Sequence, residues 1–533
     1  MSIDTQSARL WQRIPPASKT AFFCCLVSGY LIHLYAFTNL IPNSDGLSRV
    51  YDLQQMTVSG RWFLHYASAL NDFTQMPAVI GLLSLLFLGL AAALAVDLLA
   101  IRSRVLGGLA GAVMAAFPCM GYTFLYLFTA SAYCLAILLA VLSVWLARRG
   151  RAGWALGVAA LALSMGTYQA YAAVAISLAL LAVLREVLDP RADFHGTLRL
   201  GLRLVTYLAA GAALYYIILR VFLAVKGLEL LSYLGMDAAS SGYPFSQLPG
   251  LLIDTYKQVI AFFFLPGSAN GFATLPFVLL NLLALGMGLG AVWAVFAGRG
   301  LLREKWRVLG GLALLALLPL GMNFMQVLSP WSAPTPLMKY AFVSVYLLVL
   351  LVLDRADILP ESSAGRRLLL PAGAAWCALL LLFCLNTNNL LYTAADQAHR
   401  ATESYATRLL ARIESCPGYE PGMEIAIVGA VPAEQLQSQV DSFRQVDHYS
   451  VPNGTVLTLN KHIYYYLDLW LNTPVEELDE ETMLAISDDP EFQAMPLYPA
   501  QGSVQVLDGR VVVRMAEEYT PKTDYEIAYE NRR

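Results

Sequence analysis

Charge is scarce in this sequence. Asp, Glu, Lys and Arg make up 14% of its 533 residues, while apolar side chains make up 58%. Soluble domains carry roughly 25% charged residues, so a chain that is soluble throughout is excluded. The net charge of -3 argues against the basic footprint of a nucleic-acid partner. Seven cysteines are present, and six of them (Cys24, Cys25, Cys119, Cys134, Cys377 and Cys384) lie in apolar runs, with only Cys416 in a polar segment. Their spacing offers neither a disulfide framework nor a metal site, and they read as small apolar side chains. There is no Walker loop, no GxGxxG opening a helix and no HExxH, so no cofactor and no metal ligand are expected. A divalent ion stays open, although a single acid near a site is weak support for a hard cation that wants several oxygens. No internal repeat is visible, which counts against a transporter of lipid-linked glycans.

What is plentiful is the long apolar run. A helix needs roughly 20 apolar residues to cross the hydrocarbon core. Runs of that kind fall at 20–41, 77–101, 105–121, 124–147, 152–167, 169–187, 204–225, 272–297, 308–327, 337–353 and 368–386, about eleven spans. The first is too long for the apolar core of a cleavable signal and reads as a helix that stays. Basic residues alternate along the chain. Arg9, Arg13 and Lys19, then Arg102 and Arg104, Arg148, Arg149 and Arg151, Arg185 to Arg203, Arg299 to Arg307, and Arg355 to Arg367 share one side, and the opposite loops hold few. The positive-inside rule puts the richer side, and the N-terminus, in the cytoplasm.

This reading gives a polytopic α-helical membrane domain over residues 1–389, with outer loops at 42–76 and 226–271, and a soluble extracytoplasmic α/β domain over 390–533. The stretch LLIDTYKQVIAFFFLP in the second loop reads as an interfacial helix, since a crossing would leave Asp254 and Lys257 in lipid. In the soluble part, MEIAIVGAV reads as a strand, NKHIYYYLDLWL as a helix and SVQVLDGRVVVRM as a hairpin around Asp508-Gly509.

Titratable groups gather in the outer loops. Asp45 either caps an amphipathic helix, four residues before a pairing Arg49, or serves as general base for a hydroxyl. Asp52 and Asp72 are weaker candidates for the same role. Arg61 and Trp62 either anchor the interface or serve a site, in which Arg61, with His65, holds a phosphate. Arg220 and Lys339 either snorkel or supply further cations. Tyr168 and Gln169 fit a polar pocket. The Tyr464–Tyr466 run and Trp470 either stack on sugars or pack in a core. The layout suits an enzyme acting on a lipid-linked substrate.

The order of motifs carries a resemblance. Asp45, Arg49 and then Gly60-Arg61-Trp62 directly after the first span, YQAY at 168–171, and the ending AMPLYPAQGSVQVLDGRVVVRM resemble the serotype-converting O-antigen glucosyltransferases of bacteria. Many members carry a pair of acids where this chain has Ser44-Asp45. The resemblance implies a GT-C-like fold in the bacterial inner membrane with a periplasmic C-terminal domain. It implies transfer of a sugar, glucose in that family, from a polyprenyl-phosphate donor to a glycan acceptor such as lipid-linked O-antigen. Asp45 would be the base oriented by Arg49, with Asp52 and Asp72 in support. Arg61, His65, Arg220 and Lys339 would bind the donor phosphate, and Trp62, Tyr168 and Gln169 would line the substrate pocket. A related transferase using another sugar, or a protein or lipid A acceptor, is the competing reading.

Overall fold

A computed structural model describes residues 3–47, 56–230, 247–266, 274–328, 335–356, 364–431, 436, 456–457 and 460–521. Two compact units emerge. The first comprises Met1–Thr38, Leu53–Phe124 and Thr129–Asn389, and the second Asn39–Asp52, Leu125–Phe128 and Leu390–Arg533. The second unit thus takes in two pieces of chain that precede residue 390.

The first unit is helical. Nine helices among the described residues are long and apolar enough to cross a membrane. A tenth is available if Arg104–Ala116 and Pro118–Leu125, bent by 41°, form one broken span. The protein is membrane-embedded. Prolines mark several starts, as Pro16, Pro77, Pro118 and Pro276 stand at the first or second helical position, where a missing N–H costs nothing. Gly150–Thr167, one of the eleven runs read from the sequence, forms a helix of 18 residues but is not among the nine. Its length would suffice, but Arg151 in the first turn and a high share of Gly and Ala leave it less apolar than the nine. Leu248–Phe264 is a one-sided helix. It buries Leu251, Thr255, Val259, Phe262 and Phe263, and its Asp254 and Lys257 pair at 3.3 Å on the exposed side.

Small residues let two helices touch. A Cβ on Gly107 would lie 2.8 Å from the Ala17 carbonyl oxygen of Pro16–Thr38, and one on Gly111 would be driven into the Ala21 carbonyl. Small residues four apart on both partners are a common way for membrane helices to pack closely.

The arginines of the basic loops are not merely solvated. Arg148 and Arg185 both donate to the Leu98 carbonyl at 2.9 Å, and Arg355 donates to that of Leu99 at 3.1 Å. Arg203 reaches Ala147, and Arg299 reaches Leu188. Arg307, 1% exposed, donates to Val187, Asp189 and Ala192 at 2.9, 2.7 and 2.6 Å. Each acceptor closes or follows a helix whose last carbonyls lack intrahelical partners. A cation there also opposes the negative end of the helix dipole.

The second unit holds the end of the long helix Ala364–Glu414 and a three-stranded sheet. Strands β1 (Ile425–Val428), β2 (Val504–Leu507) and β3 (Arg510–Arg514) lie in the order β1-β3-β2. β1 runs parallel to β3, and β2 pairs antiparallel with it across Asp508-Gly509. Both turn residues have positive φ, 48° and 77°, which suits a two-residue hairpin. Alternation divides the sheet into two faces. Ile425, Ile427, Val511 and Val513 join the larger core with Tyr405, Leu409, Tyr464 and Tyr466, while Ala426, Val428 and Val512 face Met483, Phe492 and Met495. Leu47, from the opening loop, is fully buried in the larger core.

Candidate functional site

The site residues of the first unit start at a tight turn. Thr57–Ser59 is a 3₁₀ turn closed by Gly60, whose φ of 79° suits a residue without a Cβ. The chain then passes under the end of helix Gly150–Thr167, where Phe63 N–H donates to the Gly166 carbonyl at 2.7 Å. Gly166 is needed for that approach, because a Cβ there would sit 2.5 Å from the Trp62 indole.

Two motifs more than a hundred residues apart interlock here. Gln169 Nε2 donates to the Ser59 carbonyl at 2.9 Å and to Tyr215 Oη at 3.0 Å, and Tyr215 Oη donates to the Gly60 carbonyl at 3.1 Å. Trp62, 4% exposed, stacks on Tyr215 and Phe222 with centroids 6.5 and 5.7 Å apart. Ser59, Gly60 and Trp62 are therefore fixed by YQAY and by one face of helix Phe194–Lys226.

Arg61 extends into an aromatic clamp. Its Nη1 donates to Tyr133 Oη at 3.3 Å, and its guanidinium carbon lies 4.9 Å from the Tyr168 ring centroid. Tyr133 and Tyr168 stack on each other at 4.4 Å and 11°. Tyr171 packs edge-on against both. A cation over a π face with a phenol oxygen beside it has one preferred orientation.

The structure brings Arg61, Trp62, Tyr168 and Gln169 together. His65 follows one turn later, stacked on Phe73 at 5.0 Å. Lys339, 1% exposed, lies in the 3₁₀ segment Pro336–Val343, and the next residue, Tyr340, packs edge-on to Tyr171 at 6.4 Å. Arg220 is exposed and is not brought to this cluster. It stands two residues from Phe222, roughly 160° around the helix at 100° per residue. Asp72 is exposed in a left-handed conformation, φ 53°, after the turn Ala69–Asn71. Arg49 and Asp52 lie outside the described residues.

Asp45 belongs to the second unit. It is exposed in the 3₁₀ turn Ser44–Gly46. The turn is capped from its start, since Asn43 Oδ1 accepts the Gly46 N–H at 2.6 Å while Asn43 Nδ2 donates to the Leu125 carbonyl at 2.8 Å. Asn43 therefore caps this turn, while the amphipathic helix that Asp45 is read as capping falls largely on residues 48–55, outside the described residues. Tyr464 and Tyr466 of the aromatic run are buried core residues, each 2% exposed or less.

Tyr133, Tyr215, Phe222 and Gly166 were not singled out in the sequence. The only available signal was a phenol inside an apolar span, where an O–H needs a partner. Among the described residues no group of three or more His, Cys, Asp or Glu is placed to hold a metal.

No curated protein and no solved structure matches this sequence. A family profile does: glucosyl transferase GtrII matches residues 34–353, more than half of the chain and the part that holds Asp45, the Arg61–Trp62 turn, YQAY and Lys339. The chain belongs to this family, that of the serotype-converting O-antigen glucosyltransferases.

Proposed function

We propose that this glucosyltransferase takes glucose from a polyprenyl phosphate at the extracytoplasmic face of the bacterial inner membrane and delivers it to a hydroxyl of a lipid-linked O-antigen glycan. The acceptor oxygen attacks the anomeric carbon, and its proton passes to the Asp45 carboxylate. The bond from the anomeric carbon to the phosphate oxygen breaks, and the polyprenyl phosphate leaves with the bonding electrons. Attack opposite the leaving group inverts the anomeric centre. A phosphate departs without an acid but gains from positive charge as the bond lengthens. Arg61 supplies that charge, with Lys339 and His65 in support.

The observation that carries this reading is the clamp on Arg61. A guanidinium fixed by Tyr133 and Tyr168 presents its planar donors in one direction, and that preorganisation suits a phosphate. The face of the membrane rests on the alternation of basic residues along the chain. No metal is assigned a role.

The test is transfer of radiolabelled glucose from polyprenyl-phosphate glucose by purified wild type and Asp45→Asn, repeated in intact spheroplasts with acceptor glycan supplied outside. Wild type is expected to transfer in both settings. Asp45→Asn is expected to lose at least a hundredfold, in line with general-base catalysis, while still binding donor. Undiminished transfer by Asp45→Asn would remove the carboxylate from the mechanism. Transfer by purified protein but not in spheroplasts would reverse the orientation.

A further inference from the structure

The turn that carries Asp45 is pinned at both ends by the unit to which it belongs. At its start, Asn43 binds the Gly46 N–H and the Leu125 carbonyl. At its end, the Leu47 side chain is fully buried among Tyr405, Leu409 and their neighbours. The Leu47 carbonyl accepts the indole N–H of Trp470 at 3.2 Å. Asp45 lies between these anchors with its side chain on the exposed side.

Trp470 is itself tightly held. It closes the π-helical turn Tyr466–Trp470, an irregular geometry that recurs at functional positions. Its ring lies parallel to Tyr466, at 10° and 6.1 Å, and meets the edge of His399 at 5.4 Å. Tyr466 Oη and His399 Nδ1 are hydrogen-bonded at 3.1 Å. His399 belongs to the helix Ala364–Glu414 and Tyr466 to the core. A rigid aromatic set therefore aims one N–H at one backbone carbonyl, two residues from Asp45.

We infer that the C-terminal part of the chain is the frame that sets the Asp45 turn, and that Trp470 is its positioning residue. This rests on the reading of Asp45 as the base. A base must meet a hydroxyl within hydrogen-bond reach, and a displacement of about 1 Å is enough to cost roughly a hundredfold in rate. A short turn cannot hold that tolerance by itself. A side-chain cap at one end, with a buried leucine and an indole hydrogen bond at the other, can. The C-terminal part then acts on the chemistry without touching the reacting atoms.

Trp470→Phe in the full chain tests this, because it keeps an aromatic ring, though a smaller one, and removes the N–H. Two readouts are taken. In hydrogen–deuterium exchange, residues 39–47 are expected to exchange roughly tenfold faster, the scale of one lost hydrogen bond. The strands Ile425–Val428 and Arg510–Arg514 should stay as protected as in wild type. In the glucose transfer assay, kcat is expected to fall five- to tenfold, again on the scale of one hydrogen bond, with the donor KM within about twofold of wild type. Asn43→Ala is expected to give the same pair of signatures from the other end of the turn.

Unchanged exchange at 39–47 in both variants would overturn the inference. Loss of protection across the strands would also overturn it, since Trp470 would then be holding the fold and not the turn. Faster exchange at 39–47 with full transfer would leave the frame standing and sink the reading of Asp45. Inactive Asp45→Asn beside a Trp470→Phe variant that matches wild type in both readouts would do the reverse.

Discussion

At the scale of single residues, the aromatic clamp makes a sharp distinction between charge and shape. Lysine at position 61 keeps the charge but loses the flat face that lies over Tyr168 and the fork that reaches Tyr133. Arg61→Lys is therefore expected to raise the donor KM roughly tenfold, the loss of one oriented charge-assisted hydrogen bond. Tyr133→Phe keeps the stack on Tyr168 and removes the phenol oxygen, so its effect is expected to be about threefold. Steady-state transfer with varied donor measures both. Equal effects from the two variants would mean that the hydrogen bond, and not the stack, orients the guanidinium. Arg61 and Trp62 were visible in the sequence because an Arg beside a Trp in a loop between two apolar runs is conspicuous. The tyrosines that hold them were not, because an aromatic residue inside an apolar run looks the same whether it packs against lipid or against a guanidinium. Arg220 shows the converse. It stood out as a charge within a span, yet helical periodicity places it away from the face that carries Tyr215 and Phe222.

Elements were legible where their signal is local. The hairpin at Asp508-Gly509 followed from a turn dipeptide between β-branched runs, and the structure pairs Val504–Leu507 with Arg510–Arg514 there. Helix ends were harder to read, because the groups that satisfy them come from elsewhere in the chain. Arg307 is the clearest case. In the sequence it is one of several basic residues that set orientation. In the structure its guanidinium is buried and satisfies carbonyls of Val187, Asp189 and Ala192, and its Nε pairs with Glu304 at 2.9 Å. Removing it strands several carbonyls together. Arg307→Ala is expected to destabilise the membrane unit by about 3 kcal/mol, a typical penalty for unsatisfied buried groups. Arg303→Ala, outside this network, should change little. Thermal unfolding in detergent compares the two. Equal stability of Arg307→Ala and wild type would reduce these arginines to orientation signals.

At the scale of the whole molecule, composition divides the chain at about residue 390, where apolar runs give way to mixed sequence. The compact units divide it differently, since Asn39–Asp52 and Leu125–Phe128 belong with Leu390–Arg533. Composition is read along the chain and cannot register a short loop that completes a core more than 350 residues later. Leu47 is the point of contact, with no solvent exposure, and it is packed among Tyr405, Leu409 and Val513. Leu47→Ala should leave a cavity there and cost the second unit about 2–4 kcal/mol, as large-to-small core substitutions do. Leu469→Ala is the matched control, because Leu469 is 45% exposed and an exposed leucine should change stability by less than about 0.5 kcal/mol. Limited proteolysis of the full-length protein against rising denaturant reads the stability of residues 390–521 directly. Cleavage there should begin at lower denaturant in Leu47→Ala and be unchanged in Leu469→Ala. If the two variants behave alike, the unit completes its core without the opening loop and the boundary at 390 describes it adequately. If they differ as expected, residues 390–533 cannot be treated as an appended domain, because part of their core is supplied by the loop that also carries Asp45.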